Sequence, residues 1–219
     1  MRTHDVLGLF PLELVLFPGA YVPLHIFEPR YRQLIRECIE QRRPFGINLY
    51  DKNNLQRVGC TAEVQGIVRQ YEDGRFDIIV QGGRRYLLQS LDESAEPYLL
   101  ATVEYYDDYP GETLDFELYR TCAGLFNEFV KRVYPKPEVL TLPIDRIPVF
   151  EGSMPSFFMA QKSGLRLLQK QVLLAFRREN DRLDLLREHL AELLPRLDRA
   201  EELERISRTD GYLISGSDS

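Results

Sequence analysis

The sequence predicts an α+β protein: a bent β-sheet or pseudo-barrel with one embedded helix, followed by a C-terminal helical bundle. In the first half, apolar residues alternate with polar ones and tight turns separate the runs, as in half-buried strands. In the second half, apolar residues recur at spacings of three and four, as in amphipathic helices. We therefore expect a β-rich domain at residues 1–110, a helical bundle at 111–210 and a disordered tail at 211–219.

The first half predicts six or seven short strands and one early helix. Pro18-Gly19 and Asp73-Gly74 predict turns, because proline fixes φ while glycine accepts positive φ. A helix is predicted to begin at Pro29, since the first turn of a helix has no partner for the N–H that proline lacks. Gly82-Gly83 predicts a bulge or a bend within a strand. The predicted strands are 6–10, 12–17, 21–27, 45–50, 58–71, 76–88 and 98–106.

The second half predicts helices separated by proline-rich connections. The predicted boundary between the two domains lies at 107–113, and four prolines between residues 135 and 148 break the chain again. The Arg177–Arg199 segment mixes charges of both signs and predicts a solvated helical face. The predicted helices are 114–129, one that begins near Ser153, 165–176, 183–194 and 196–208.

The composition restricts the class of protein. Of 219 residues, 44 % are hydrophobic, which suits a folded chain with a sizeable core. A formal net charge of −6 gives no general attraction to phosphate backbones, so nucleic acid is not an expected partner. The three cysteines include no C-x-x-C pair and favour reduced thiols, with Cys38 and Cys122 on apolar helical stripes. Because no targeting segment or membrane-length apolar run is visible, a cytoplasmic location without membrane contact is expected.

Four segments in the first half carry a family resemblance. They are Pro11–Gly19, Pro23–Tyr31, the pair Pro44–Ile47 and Val58–Cys60, and the set Asp73–Arg75, Val80–Tyr86 and Glu96–Tyr98. In order, spacing and residue type they resemble the substrate-binding domain at the N-terminus of Lon proteases, over about the first 106 residues. The segment from His25 to Tyr31 is the most specific part. The resemblance implies a PUA-like barrel, and the helical half is similar to the bundle that follows the sheet in that family.

The resemblance also implies what the chain binds. Full-length Lon needs a Walker A loop and a Ser–Lys dyad, but the sequence contains no G-x-x-x-x-G-K-[ST] motif. We therefore expect a stand-alone relative that binds unfolded or exposed apolar polypeptide without hydrolysing ATP or peptide bonds. It would act as an adaptor or chaperone-like factor in protein quality control, presenting substrates to a separate protease or chaperone. No catalytic residue, cofactor or metal is expected.

Two alternatives remain open at this point. One is a small-molecule or enzymatic role in a pocket between the sheet and the bundle. The other is RNA binding, because the fold resembles PUA-like barrels, although the acidic charge balance argues against it.

Five apolar residues of the first extended segments are the candidates for peptide binding, because apolar side chains are denser there than a one-sided strand needs. They are Leu12, Leu14, Leu16, Phe17 and Tyr21. Architectural roles are expected for the motif residues, namely Pro18, Gly19, His25, Phe27, Glu28, Pro29, Arg30, Tyr31, Gly82 and Arg85.

Specific environments are expected for three of the polar residues. His25 is interpreted as a partly buried imidazole that bridges a strand and the helix, with a hydrogen bond that stabilises the fold. Arg84 and Arg85 could hold a carboxylate or a phosphate, but adjacent strand residues point to opposite faces, so at most one of them can point into a given cleft. Solvated charge is the expectation for both.

Overall fold

The computed structural model describes residues 4–93, 96–150 and 152–210, and the predicted tail at 211–219 lies outside these residues. The α+β prediction is confirmed, because strands fill the first half and helices the second. The strands are β1 (His4–Leu12), β2 (Tyr21–Ile26), β3 (Phe45–Asp51), β4 (Asn54–Gln70), β5 (Phe76–Asp92) and β6 (Leu99–Tyr105). The α-helices are α1 (Pro29–Gln41), α2 (Phe116–Val133), α3 (Pro155–Lys162), α4 (Leu167–Ala175) and α5 (Glu179–Asp210), with a 3₁₀ turn at Pro137–Val139.

The sheet closes on itself to form the predicted pseudo-barrel. The strand order is β2-β5-β4-β3-β1-β6, and an additional β5–β6 pairing completes a ring of five strands. The long strand β5 makes this possible, because its first half pairs with β2 (Tyr21 opposite Gln81) and its second half with β6 (Tyr86 opposite Tyr105). The β1–β3 pairing is parallel and the other pairings are antiparallel.

Both predicted glycine features of β5 and its hairpin are confirmed. Gly74 has φ of 84° in the turn between β4 and β5. The β4–β5 register shifts between Cys60, opposite Arg85, and Ala62, opposite Gly82, which is the predicted bulge.

The embedded helix α1 packs one apolar stripe against the sheet. Tyr31, Leu34, Ile35 and Cys38 are buried on this stripe. The helix ends at Arg42, whose φ of 52° places it in the left-handed region, and its N–H donates to the carbonyls of Cys38 and Ile39. All three cysteines are buried and free, so the expected packing role of Cys38 and Cys122 is confirmed.

The predicted second strand at 12–17 is wrong. The chain leaves the sheet after Leu12 and runs as an irregular segment to the Pro18-Gly19 turn. Phe17 is 1 % exposed and its ring stacks on that of Phe157 in α3, with ring centroids 5.7 Å apart. The segment therefore packs its apolar residues against the bundle, which replaces strand pairing as the source of its stability.

The helices predicted at 183–194 and 196–208 are one continuous helix, α5. Pro195 lies inside this helix. Good helix formers such as Leu, Glu and Arg surround the proline, and their propensity favours continuation of the helix on both sides.

The sheet and the bundle share one apolar core. A single cluster of buried residues includes Phe10 and Ile26 from the strands together with Phe126 and Leu186 from the helices. None of the helices in the described ranges combines the length and the apolar character that crossing a bilayer requires.

Candidate functional site

A cleft of about 600 Å³ lies where the end of β1, the end of β2 and the start of α1 meet. Its walls are mainly apolar, and they include Leu12, Phe27, Tyr50, Leu55, Leu91 and Leu99. The charged side chains of Glu28, Arg30 and Glu93 also contribute to the lining. The cleft is named the apolar groove below.

Phe27 is the most exposed aromatic residue of the apolar groove, with 57 % of its surface accessible. It follows β2 directly and precedes the first turn of α1, and its ring stacks on that of His25 with centroids 5.9 Å apart. Tyr50 and Leu91 are also exposed, at 43 % and 40 %. Large apolar side chains that line a concave surface and remain in solvent indicate a binding site.

The prediction for the environment of His25 is wrong. Its side chain is 42 % exposed, and its Nδ1 lies 2.5 Å from Oδ1 of Asp77 on the paired strand β5. The neighbouring residues Leu24 and Ile26 point into the core, so the alternation of β2 turns His25 outward. The imidazole therefore joins two strands at the surface, and a stability loss based on a buried hydrogen bond is no longer expected.

Asp77 is the centre of a small polar cluster beside the apolar groove. The Tyr71 hydroxyl donates to its second oxygen at 2.8 Å, so His25 and Tyr71 hold the two oxygens of one carboxylate. The hydrogen bond from His25 is the main reason that the pKa of Asp77 lies below its usual value. This cluster fixes the side chain of His25 where it lines the groove.

Glu28, Pro29 and Arg30 form the entry to α1. Arg30 pairs with Glu28 at 2.7 Å, and its guanidinium lies 4.8 Å from the ring centroid of Tyr31. The Tyr31 ring in turn stacks on Phe10 with centroids 4.0 Å apart. The Glu28 carbonyl accepts the N–H of Tyr31 and of Arg32, which begins the helix. These motif residues thus set the direction of α1, and Glu28, Arg30 and Tyr31 also line the groove.

The Pro18-Gly19 turn and Gly82 fit together as an architectural unit. Gly19 donates its N–H to the Gly82 carbonyl at 2.8 Å, and the Gly82 N–H donates to Ala20 at 2.9 Å. A Cβ on Gly82 would lie 2.0 Å from the Phe17 carbonyl oxygen, so any larger residue would push the turn away. Gly19 has φ of 75°, which also favours glycine.

The structure separates the five residues predicted to bind peptide. Leu12 lines the apolar groove and Tyr21 is 61 % exposed, but Leu16 and Phe17 are each only 1 % exposed. Leu14 is half-buried and packs against the shared core. Leu16 and Phe17 are therefore corrected to core residues, because packing of the bundle covers the segment that carries them.

Arg85 is buried, which corrects the expectation of a solvated charge. It is 5 % exposed and donates to the carbonyls of Leu174 and Phe176 and to the carboxylate of Asp108. Arg84 points to the other side and is exposed, as strand alternation predicts.

A second buried arginine, Arg182 on α5, completes an ionic network between sheet and bundle. It is fully buried, and it pairs with Asp108 at 2.5 Å and with Glu179 at 2.7 Å. Glu179 also accepts from the Ser156 backbone N–H at 2.9 Å and from its hydroxyl at 2.5 Å. We refer to five residues together as the ionic network, namely Arg85, Asp108, Ser156, Glu179 and Arg182. Sequence reasoning missed it, because Glu179 and Arg182 resemble the exposed charges around them.

Charge is balanced within the ionic network, with two arginines and two carboxylates. Burial alone would raise the pKa of Asp108, but Arg182 and Arg85 outweigh it and lower that pKa. Burial raises the pKa of Glu179, and the hydrogen bonds from Arg182 and Ser156 oppose the rise. The contact between sheet and bundle, where the alternative interpretation placed a ligand pocket, is filled at this point by charged groups that pair with each other.

The fold is a closed five-stranded sheet joined to a helical bundle, with the apolar groove at one end of the sheet. Among the described residues, no group of three or more His, Cys, Asp or Glu side chains is placed to hold a metal ion. The family model described as the ATP-dependent protease La (LON) substrate-binding domain matches residues 6–192, and the chain belongs to this family.

Curated relatives and solved structures agree with this assignment. The Lon protease of Parabacteroides distasonis is 30 % identical over 154 residues, which is 65 % of this chain and 19 % of that protein. The Lon protease of Syntrophomonas wolfei is 28 % identical over 217 residues, covering 93 % of this chain and 25 % of that protein. The chain therefore spans a quarter or less of these two relatives.

The same fold occurs in two solved structures. The Lon N-terminal domain protein from Xanthomonas campestris has a TM-score of 0.62 at 23 % identity, covering 83 % of this chain and 96 % of that one. The N-terminal domain of a Mycobacterium avium complex Lon protease has a TM-score of 0.65 at 17 % identity, covering 85 % and 98 %.

Proposed function

We propose that this chain binds unfolded or partly unfolded polypeptides through the apolar groove, as a substrate-recognition module in protein quality control. The observation that carries the proposal is the exposure of Phe27, Tyr50 and Leu91 along a concave surface that includes the most specific family motif. A receptor for misfolded chains must read a general property, and exposed apolar side chains are that property.

The module would act without chemistry of its own. The Walker A loop that holds nucleotide phosphates has no counterpart in the 219 residues. Binding would therefore deliver a substrate to a separate protease or chaperone, as an adaptor does. Calorimetry with ATP tests this part directly, since heat of binding with a micromolar dissociation constant would contradict it.

The apolar groove can be tested by truncating its exposed side chains. In the double variant Phe27→Ala and Leu91→Ala, we expect at least a tenfold weaker affinity for a reduced, unfolded model protein, because each buried side chain of this size contributes about 1.5–3 kcal/mol. Fluorescence anisotropy of the labelled unfolded protein measures the dissociation constant. The same protein in its folded form serves as the reference and should bind weakly or not at all.

A matched control separates groove contacts from general surface stickiness. Val139 and Val149, outside the groove, are 76 % and 98 % exposed, so the double variant Val139→Ala and Val149→Ala removes apolar surface elsewhere. Its affinity should equal that of the unaltered chain. Equal affinity for folded and unfolded ligand, or equal weakening in both double variants, would reject the groove as the binding site.

A further inference from the structure

The outer part of β4 has a free edge. β4 pairs with β3 only as far as Ala62, which lies opposite Phe45, whereas its pairing with β5 continues to Gln70. In the part of the chain that the structure describes, no strand pairs with the other side of residues 63–70. A free edge presents backbone N–H and C=O groups that can pair with an added strand.

Solvent reaches this edge. Ile67 and Val68 are 44 % and 66 % exposed, which is unusual for β-branched residues in a strand. A Cβ placed on Gly66 would meet no atom within 4 Å. The exposed side chains and the open space above Gly66 therefore leave this part of β4 accessible to a second chain.

A trough runs between this edge and the C-terminal end of α1. It consists of two adjoining clefts of about 330 and 250 Å³, which share Ile39 and Ile67 in their linings. Cys38 and Val64 add to the apolar part of the first cleft. The trough, named the β4 trough below, shares no lining residue with the apolar groove.

The β4 trough is basic in a protein that is acidic as a whole. Its charged lining residues are Arg36, Arg42, Arg43, Arg75 and Glu63. Two of the arginines already face carboxylates, since Arg43 lies 3.5 Å from Glu37 and Arg75 lies 2.6 Å from Asp73.

Two of the trough arginines are available to a ligand. Among the described residues, Arg36 and Arg42 have no carboxylate within ion-pair distance, and both side chains are exposed. These two exposed guanidinium groups attract a negatively charged ligand to the trough, although the net charge of the whole chain is −6.

Two bulges limit what can pair with the edge. The β4–β5 register shifts between Val64 and Gly66 and again between Ile67 and Arg69. Bulges twist an edge strand and interrupt its ladder, which protects it from long pairing with a second copy. A short segment that pairs over a few residues is still accommodated.

We infer that the β4 trough binds a short extended peptide that carries acidic side chains and adds as a strand beside residues 63–67. Its backbone pairs with the free edge, its apolar side chains contact Ile39 and Ile67, and its carboxylates meet Arg36 and Arg42. Main-chain pairing favours a peptide over a nucleic acid, because a sugar-phosphate backbone has no N–H groups to match the edge. This partner differs in class and in site from the unfolded chains proposed for the apolar groove.

The test is fluorescence anisotropy of the whole chain with a short labelled peptide in which pairs of valines alternate with pairs of glutamates, so that each face of the added strand carries both residue types. Two altered peptides accompany it, one with lysine for each glutamate and one with N-methyl groups on alternate backbone nitrogens. We expect binding of the first peptide only, and weaker binding as salt concentration rises. The double variant Arg36→Ala and Arg42→Ala should weaken it about tenfold, since it removes both arginines that the peptide carboxylates would meet.

Two controls make the outcome specific. Arg146→Ala removes an exposed arginine of the crossover and should leave the affinity unchanged. Phe27→Ala should also leave it unchanged, which distinguishes failure at this site from failure at the apolar groove. Equal binding of the lysine or N-methylated peptide, or intact binding in the double arginine variant, would overturn the inference. Displacement of the peptide by an oligonucleotide of equal charge would indicate that the trough binds nucleic acid instead. Formation of a dimer that buries the edge would indicate that it binds a second copy of the chain. Either result would reject the acidic peptide as the partner.

Discussion

Tyr86 fills a space that two glycines leave open between neighbouring strands. A Cβ on Gly46 would lie 2.4 Å from its hydroxyl oxygen, and a Cβ on Gly59 would lie 2.5 Å from its Cζ. The hydroxyl donates to Asn48, whose amide donates in turn to the Gln56 carbonyl at 2.8 Å. Burial raises the pKa of Tyr86 well above its ordinary value. Gly46 and Gly59 belong to one of the segments that carry the family resemblance, and they make room for Tyr86, which belongs to another.

A methyl group at Gly59 should therefore destabilise the fold. We expect Gly59→Ala to lower the free energy of unfolding by about 1–3 kcal/mol, because the buried Tyr86 ring cannot move away without strain. Urea unfolding followed by circular dichroism measures the change.

Gly66→Ala is the matched control on the same strand, since a Cβ there meets no atom within 4 Å. Its unfolding free energy should stay within about 0.5 kcal/mol of the unaltered chain. Equal losses in the two variants would mean that the contact with Tyr86 does not set the cost.

At the scale of the element, the periodicity of apolar residues predicted most of the strands and helices. The prediction failed where a segment packs against residues that are far away in the sequence. Alternation places Leu24 and Ile26 inward on β2, so this strand could be predicted. The segment that ends in Leu16 and Phe17 has the composition of a strand, but its environment depends on α3, far along the chain. Local pattern carries no information about that contact.

The candidate site was predictable only in part. The most specific motif, His25 to Tyr31, does line the apolar groove. Tyr50, Leu55, Leu91 and Leu99 come from other strands, and closure of the sheet brings them together. The exposure of Phe27 carries no sequence signal, because an aromatic residue between a strand and a helix is usually buried.

The elements α5 and β5 are joined by the ionic network, which gives a prediction at Asp108. Asp108→Asn leaves the buried Arg85 without a carboxylate partner and the buried Arg182 with Glu179 alone. We expect a loss of about 3 kcal/mol at neutral pH, since removal of one partner from a buried ion pair typically costs roughly 3–5 kcal/mol and the Asp108 side chain is 26 % exposed.

The pH dependence of this loss has a definite sign. The pKa of Asp108 is lowered below its ordinary value of 3.8, so the carboxylate stabilises the fold above about pH 4. That contribution is lost as pH falls through the lowered pKa, and the unfolding free energies of variant and unaltered chain should converge in acid. Asp145→Asn, at an exposed position of the crossover, should show no such difference at any pH. If the difference in unfolding free energy between Asp108→Asn and the unaltered chain stayed constant in acid, it would contradict the role assigned to the charge of Asp108.

On the scale of the whole molecule, one core joins two halves with different architectures. We keep residues 1–110 and 111–210 as a proposed division, because the chain changes from strands to helices there. The apolar cluster nevertheless runs from Phe10 and Ile26 to Phe126 and Leu186. Each half therefore covers apolar surface of the other.

Limited proteolysis probes this organisation. The crossover at 135–150 holds the exposed Val139, Ile144 and Val149 and only one 3₁₀ turn, so we expect the first cut there. Residues 44–88 are mostly in paired strands and should resist longer. Mass spectrometry of early fragments identifies the sites. Early cleavage within 44–88, at a rate equal to that of the crossover, would reject the proposed organisation.

The position of β1 in the ring has a consequence for the order of folding. This first strand lies between β3 and β6, with Phe10 opposite Ile47 and His4 opposite Glu104. A nascent chain that has not yet reached β6 can satisfy one side of β1 and must leave its other side unpaired. The ring closes only through contacts between residues far apart in sequence, and such contacts slow folding. β1 thus precedes both of its neighbours in the chain and is one of the last strands to pair with both, and its unpaired backbone edge can take part in aggregation during that interval.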